Sequence, residues 1–116
     1  MGDKRERASQ ARKIRVSNLA LKNIDELTDF IAFTQQQPLN AIKVAEKIDK
    51  TIGKIAANPL AYKECEQLTT ASKMYRQCVC MSWLIIYRID KNEILILSII
   101  HGARQLNKIR KLRKIK

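Results

Sequence analysis

Between Met74 and Arg104 the chain reads MYRQCVCMSWLIIYRIDKNEILILSIIHGAR, three short apolar runs parted by two turns. Runs of this length, rich in Ile, Val and aromatic residues and bounded by turn formers, predict strands over Tyr75–Met81, Trp83–Ile89 and Glu93–His101. Asp90-Lys91-Asn92 supplies the tight turn between the last two. The ILILSII core of the third run is almost continuously apolar, as expected of a central strand covered on both faces.

Upstream the period changes. Lys13 to Ser17 (KIRVS) alternates Ile14 and Val16 with basic residues, a short strand signature. Asn18 is placed to cap a first helix, on which Ala20, Ile24, Leu27 and Ile31 share one face up to about Phe33 or Thr34. Gln35-Gln36-Gln37 breaks that helix and Pro38 opens a second. On the second helix Ala41, Val44, Ala45, Ile48, Ile52 and Ile55 form a stripe that ends at Asn58-Pro59. The short joint makes the two helices an antiparallel hairpin, and the pattern stops too soon for a coiled coil. Leu60–Lys73 shows no period and reads as loop. Beyond the strands, Leu106, Ile109 and Leu112 recur three apart among basic residues, which predicts a short basic amphipathic helix. The expected fold is α+β. A short N-terminal strand and a helix hairpin pack on a small antiparallel meander, followed by that basic C-terminal helix. The expected organisation is a disordered basic segment over residues 1–12, a single domain over 13–107 and a basic tail over 108–116.

Charge refines this picture by its placement. The net charge is +12 in 116 residues. Residues 1–17 carry six Lys/Arg against two Asp/Glu, and residues 101–116 carry seven Lys/Arg and no acid, so the body is nearly neutral and both ends are basic. Basic ends favour an anionic partner: nucleic acid, a ribosome or an acidic protein. No apolar run is long enough to span a bilayer, and the charged N-terminus lacks a signal-peptide pattern, so a cytoplasmic protein with no membrane partner is expected. The three cysteines, Cys65, Cys78 and Cys80, are an odd number and fit buried structural thiols better than a disulfide framework. With one histidine and no ligand spacing of the usual kind, neither a metal nor another cofactor is expected.

The strand KIRVS, then LALKNIDELTDFIAF, AIKVAEKIDKTIGKIAANPLAY, the MYRQCVC strand, WLIIYRID and EILILSIIHGAR together resemble the RelE/ParE superfamily, toxins of bacterial type II toxin–antitoxin pairs. The resemblance spans about residues 13–107. Its most typical pieces are the I-x-x-N-P ending of the second helix and the closing I-x-H-x-x-R. It implies a helix hairpin on an antiparallel sheet, and a cognate antitoxin that wraps the sheet face and the groove beside the first helix. It also implies one of two activities. ParE-like members poison DNA gyrase. RelE-like members bind the ribosome and cleave mRNA, using basic residues on the sheet and often a late tyrosine or histidine. A non-toxic basic nucleic-acid-binding module is the reading outside the family.

Metal-free RNA cleavage needs a group to move the 2′-OH proton and cations at the phosphate. The resemblance offers Arg76 and Arg104 for the phosphate, and His101 for proton transfer. Each has a plainer alternative as a structural or surface residue. Arg76, Arg88, Arg104, Lys108, Arg110 and Lys111 are the expected contacts for a target or an antitoxin, Arg88 doubling as an edge charge near the turn. Glu64 and Glu66 lie where some nucleases carry an acid, although two solvated carboxylates explain them equally well. No tyrosine or histidine follows Arg104, and Tyr62, Tyr75 and Tyr87 do not match the late aromatic of the nucleases. That departure favours ParE-like behaviour.

Overall fold

The computed structural model describes residues 12–101 and 106–116, without side-chain detail at 106 and 107. Four strands form one sheet: β1 (Lys13–Val16), β2 (Tyr75–Cys80), β3 (Trp83–Ile89) and β4 (Glu93–His101). Their order across the sheet is β1-β4-β3-β2. The three C-terminal strands make the expected antiparallel meander, and β1 adds to the far side of β4 in parallel, with Lys13 opposite Glu93 and Val16 opposite Ile96. This placement puts β4 inside the sheet, which is why its sequence is apolar almost throughout. Residues Ile94 to Ile100 are all buried.

Two apolar layers sandwich the sheet. Ile94, Ile96 and Ile99 join Ile85, Tyr87, Cys78 and Cys80 under the helices α1 (Asn18–Asp29) and α2 (Pro38–Ala57). Leu95, Leu97 and Ile100 join Tyr75 and Ile86 on the other face, under Cys65, Leu68, Ile109 and Leu112. The second layer is built by two segments flanking the meander: the connection from α2 to β2, and the C-terminal helix α3 (Leu106–Arg110) with the 3₁₀ turn Lys111–Lys114 that continues it. The three cysteines are buried free thiols, Cys78 and Cys80 on one face as their spacing requires.

Several boundaries shift from the sequence expectation. The N-cap of α1 is Ser17, not Asn18. Ser17 is extended (φ −66°, ψ 157°), and its Oγ accepts from the Ala20 N–H at 3.0 Å while donating to the Leu97 carbonyl at 2.7 Å. Asn18 is already helical. The first helix widens into a π-helical turn, Phe30–Thr34, before Gln36 takes a left-handed conformation (φ 55°) and Pro38 starts α2. The segment read as loop, Leu60–Lys73, contains two 3₁₀ turns and pairs with the edge of β2. Cys65 N–H donates to the Tyr75 carbonyl, and Gln77 N–H to the Lys63 carbonyl. Its Cys65 and Leu68 are fully buried. Arg12, the last residue of the segment expected to be disordered, donates from Nε to the Asp90 carbonyl at 3.0 Å.

Candidate functional site

β4 outruns β1. The parallel pairing stops at Val16 and Ile96, while β4 continues to His101. A register irregularity falls at Ile86/Tyr87, opposite Ser98 and Ile96. An extra residue here bends the strand and frees backbone groups from the ladder. Two polar side chains at the start of α1 take up those groups. Ser17 Oγ holds the Leu97 carbonyl, and Asn23 Oδ1 accepts from Ser98 Oγ at 2.6 Å and from the Ile99 N–H at 3.0 Å. Because a backbone N–H only donates, the Asn23 atom facing it must be the oxygen. Asn23 therefore fixes α1 against the free edge of β4.

Beyond this seam the helix and the strand end diverge around a cleft of about 530 Å³, lined from α1 by Asn23, Glu26, Leu27 and Phe30 and from the sheet by Trp83, Ile99 and His101, with Lys108 at its side. A contiguous groove of about 400 Å³ runs between α1 and the C-terminal segment, where Leu19, Lys22, Lys108 and Lys111 form its walls. His101 is exposed and meets Trp83 edge to face, with ring centroids 5.7 Å apart and planes at 73°. The stacking fixes the imidazole at the cleft mouth.

The other expected site residues lie elsewhere. Arg76 donates from Nε to the Lys73 carbonyl and from Nη1 to the Tyr62 carbonyl, both at 2.9 Å, so it staples both ends of the 62–73 connection. Arg88 forms a two-pronged pair with Asp90 (2.9 and 3.1 Å) and donates to the Ile115 carbonyl at 2.7 Å. The hydrogen bond to Asp90 raises the already high pKa of this guanidinium. Glu64 accepts from the Thr70 N–H, and Glu66 pairs with Lys63 on the surface. Lys108, Arg110 and Lys111 are exposed along the C-terminal segment. Arg104 lies outside the described residues.

The register also measures how far apart the proposed cleavage residues stand. Arg76 is opposite Tyr87 on β3, and His101 is opposite Trp83. Four residues of strand and two strand spacings separate them, about 16 Å between backbones. No group of three or more His, Cys, Asp or Glu side chains among the described residues is placed to hold a metal ion. Sequence reasoning missed Asn23, Glu26, Phe30 and Trp83 as cleft residues. Asn23 alone left a trace, as a polar residue beside the apolar stripe of its helix.

The fold and the toxin-like order of elements agree with comparisons to known proteins. Residues 14–106 match the family model described as the ParE toxin of type II toxin–antitoxin systems, parDE. The chain belongs to this family, within the RelE/ParE toxin superfamily. Among solved structures it is similar to a chain from a chromosomal ParDE toxin–antitoxin system of P. aeruginosa, with a TM-score of 0.66 and 19% identity over 81% of this chain and 99% of that one. At that identity the likeness concerns the fold. No curated protein matches the sequence significantly. Among the described residues no helix is long and apolar enough to cross a membrane.

Proposed function

We propose that the chain is the toxin of a type II toxin–antitoxin pair, ParE-like in mechanism. It stops growth in the cytoplasm by binding a protein target such as DNA gyrase, and a cognate antitoxin neutralises it. Family membership supports the toxin role. One structural observation carries the choice of mechanism: the sheet arginines are committed to fastening the fold. Arg76 holds two loop carbonyls and Arg88 holds Asp90 and Ile115, while His101 stands about 16 Å from Arg76 across the register. Proton transfer and phosphate stabilisation must act on the same few atoms, and guanidinium groups already engaged within the fold favour binding over cleavage.

The antitoxin is assigned to the groove beside α1. The helix layer covers one face of the sheet and the chain's own C-terminal segment covers the other, so the groove is the apolar channel left open next to β4. Its apolar walls and its lysines, Lys22, Lys108 and Lys111, suit a segment alternating apolar and acidic residues. Charge steering makes the association rate fall steeply with salt.

The test is induced expression with replication and translation followed separately, together with purified protein added to gyrase and relaxed plasmid. Replication arrest ahead of translation arrest and a block of supercoiling are expected, and His101→Gln keeps both. Ribosome-dependent mRNA cleavage by the purified protein, lost in His101→Gln, overturns the proposal in favour of an mRNA interferase.

A further inference from the structure

The C-terminal segment has two unlike sides. Ile109 and Leu112 are buried against the sheet and Ile115 packs beside them. Every cation from Lys108 to Lys116 points to solvent: Lys108, Arg110, Lys111, Arg113, Lys114 and Lys116. This is not a loose tail. Arg88 and Arg15 donate to the carbonyls of Ile115 and Lys116, and Arg113 donates to that of Thr69. The ion pairs among the described residues are Arg15–Glu93, Lys63–Glu66 and Arg88–Asp90, so no carboxylate neutralises the strip there. Glu26 lines the same cleft as Lys108, at the strip's inner edge.

The geometry points to a docking surface for the phosphate backbone of duplex DNA. Three observations select that partner over an acidic protein or a single strand. First, the outer side of the strip offers charge and no apolar side chain. A protein partner needs apolar area, and the exposed large apolar residues nearest the strip, Leu19 and Phe30, line the groove and the cleft on its inner side, not its outer side. Second, no aromatic lies in the strip, and Phe30, Trp83 and His101 face the cleft on its inner side, so the strip itself carries no platform for unstacked bases. Third, the strip is a helical ridge packed on a sheet. Such a ridge fits the wide major groove of B-form DNA, whereas the A-form major groove is too narrow to admit it.

The length sets the size of the effect. Nine residues of mixed α and 3₁₀ helix rise about 14 Å, the axial span of about four phosphates on one strand. Four neutralised phosphates give a log–log salt slope of about −3.6, which is roughly a 100-fold loss of affinity between 50 and 200 mM salt. This inference concerns the solvent side of the segment, whose Lys108 and Lys111 also border the cleft and the groove, and it does not depend on which target the toxin poisons.

The experiment measures binding of the full chain to a fluorescent 20-base-pair DNA of arbitrary sequence over a salt series. The variant carries Lys108→Gln, Arg110→Gln, Lys111→Gln and Lys114→Gln, four exposed positions. A second variant carries Lys4→Gln, Arg5→Gln and Arg7→Gln at the N-terminus. Circular dichroism and melting confirm that both fold. The strip variant is expected to lose three to four units of slope, and with them most of the roughly 100-fold fall in affinity between 50 and 200 mM salt, with sequence-independent binding throughout. The N-terminal variant keeps the strip's contribution. The inference is overturned if the strip variant retains wild-type affinity and slope, or if the N-terminal variant alone abolishes binding. It is equally overturned if duplex RNA binds as tightly as duplex DNA, or if the strip variant loses an acidic amphipathic peptide while keeping DNA.

Discussion

Asn23 offers the sharpest test of how the cleft is held. Replacing it by Ala removes the acceptor for two donors at the β4 irregularity, the Ile99 N–H and the Ser98 hydroxyl. The backbone N–H is fixed in direction and partly buried, and leaving it unmet costs about 1–3 kcal/mol. The hydroxyl turns about its bond and recovers part of its share, so the total comes to about 2–3 kcal/mol. For a domain of this size that is a fall in melting temperature of about 10 °C. Both bonds go to Oδ1, an atom a carboxylate also supplies, so Asn23→Asp should stay within about 1 kcal/mol of wild type at neutral pH. Urea unfolding followed by the single tryptophan, Trp83, reports the change as a shifted midpoint at unchanged slope. The double variant Asn23→Ala/Ser98→Ala should cost less than the sum of the singles, since one donor leaves with its acceptor. If Asn23→Ala melted with the wild type, or Asn23→Asp fell as far as Asn23→Ala, the bridging role would be wrong.

Three further outcomes follow from the packing and the charges. Leu112→Ala, which empties a buried position under the sheet, should cost about 2–5 kcal/mol in the same assay. A loss under 1 kcal/mol would mean that the C-terminal segment does not pack on the sheet. Arg15 holds the Glu93 carboxyl below the usual carboxylate range, chiefly through their hydrogen bond. A depressed folded-state pKa stabilises above the unfolded value and loses that stabilisation as pH falls through the folded one. The small stability gap between wild type and Glu93→Gln should therefore be present at pH 7 and close below about pH 4, and a gap that persists at pH 2 would contradict the pairing. Burial raises the Cys65 and Cys78 thiols above the ordinary range. A thiol-reactive dye at pH 8 should label none of the three cysteines in the folded protein and all three in urea, and rapid native labelling would contradict their burial.

How much of this was legible beforehand divides along the range of the interactions. The helices and the three C-terminal strands were legible because each carries its own period, and the boundaries of β3 and β4 fall where the apolar runs end. The parallel placement of β1 was not, although the unbroken apolar run of β4 already required a neighbour on each side and a cover on each face. What escaped were features that depend on distant partners. Ser17 and Asn18 are both good capping residues, and Ser17 prevails because its hydroxyl also reaches Leu97, eighty residues away. Leu60–Lys73 lacks a period because single 3₁₀ turns have none to show, yet it buries Cys65 and Leu68 completely. The arginines were the hardest to read. A sequence marks a guanidinium as available for an anion, but it does not show which carbonyls lie within reach. Arg76 and Arg88 satisfy backbone oxygens that would otherwise end a loop and the chain terminus unpaired. Among the described residues, the cations exposed in the C-terminal segment are those whose intervening residues, Ile109 and Leu112, face the sheet. The i, i+3 spacing of apolar residues in the C-terminal segment was thus a better guide to the available charge than the arginines on the strands.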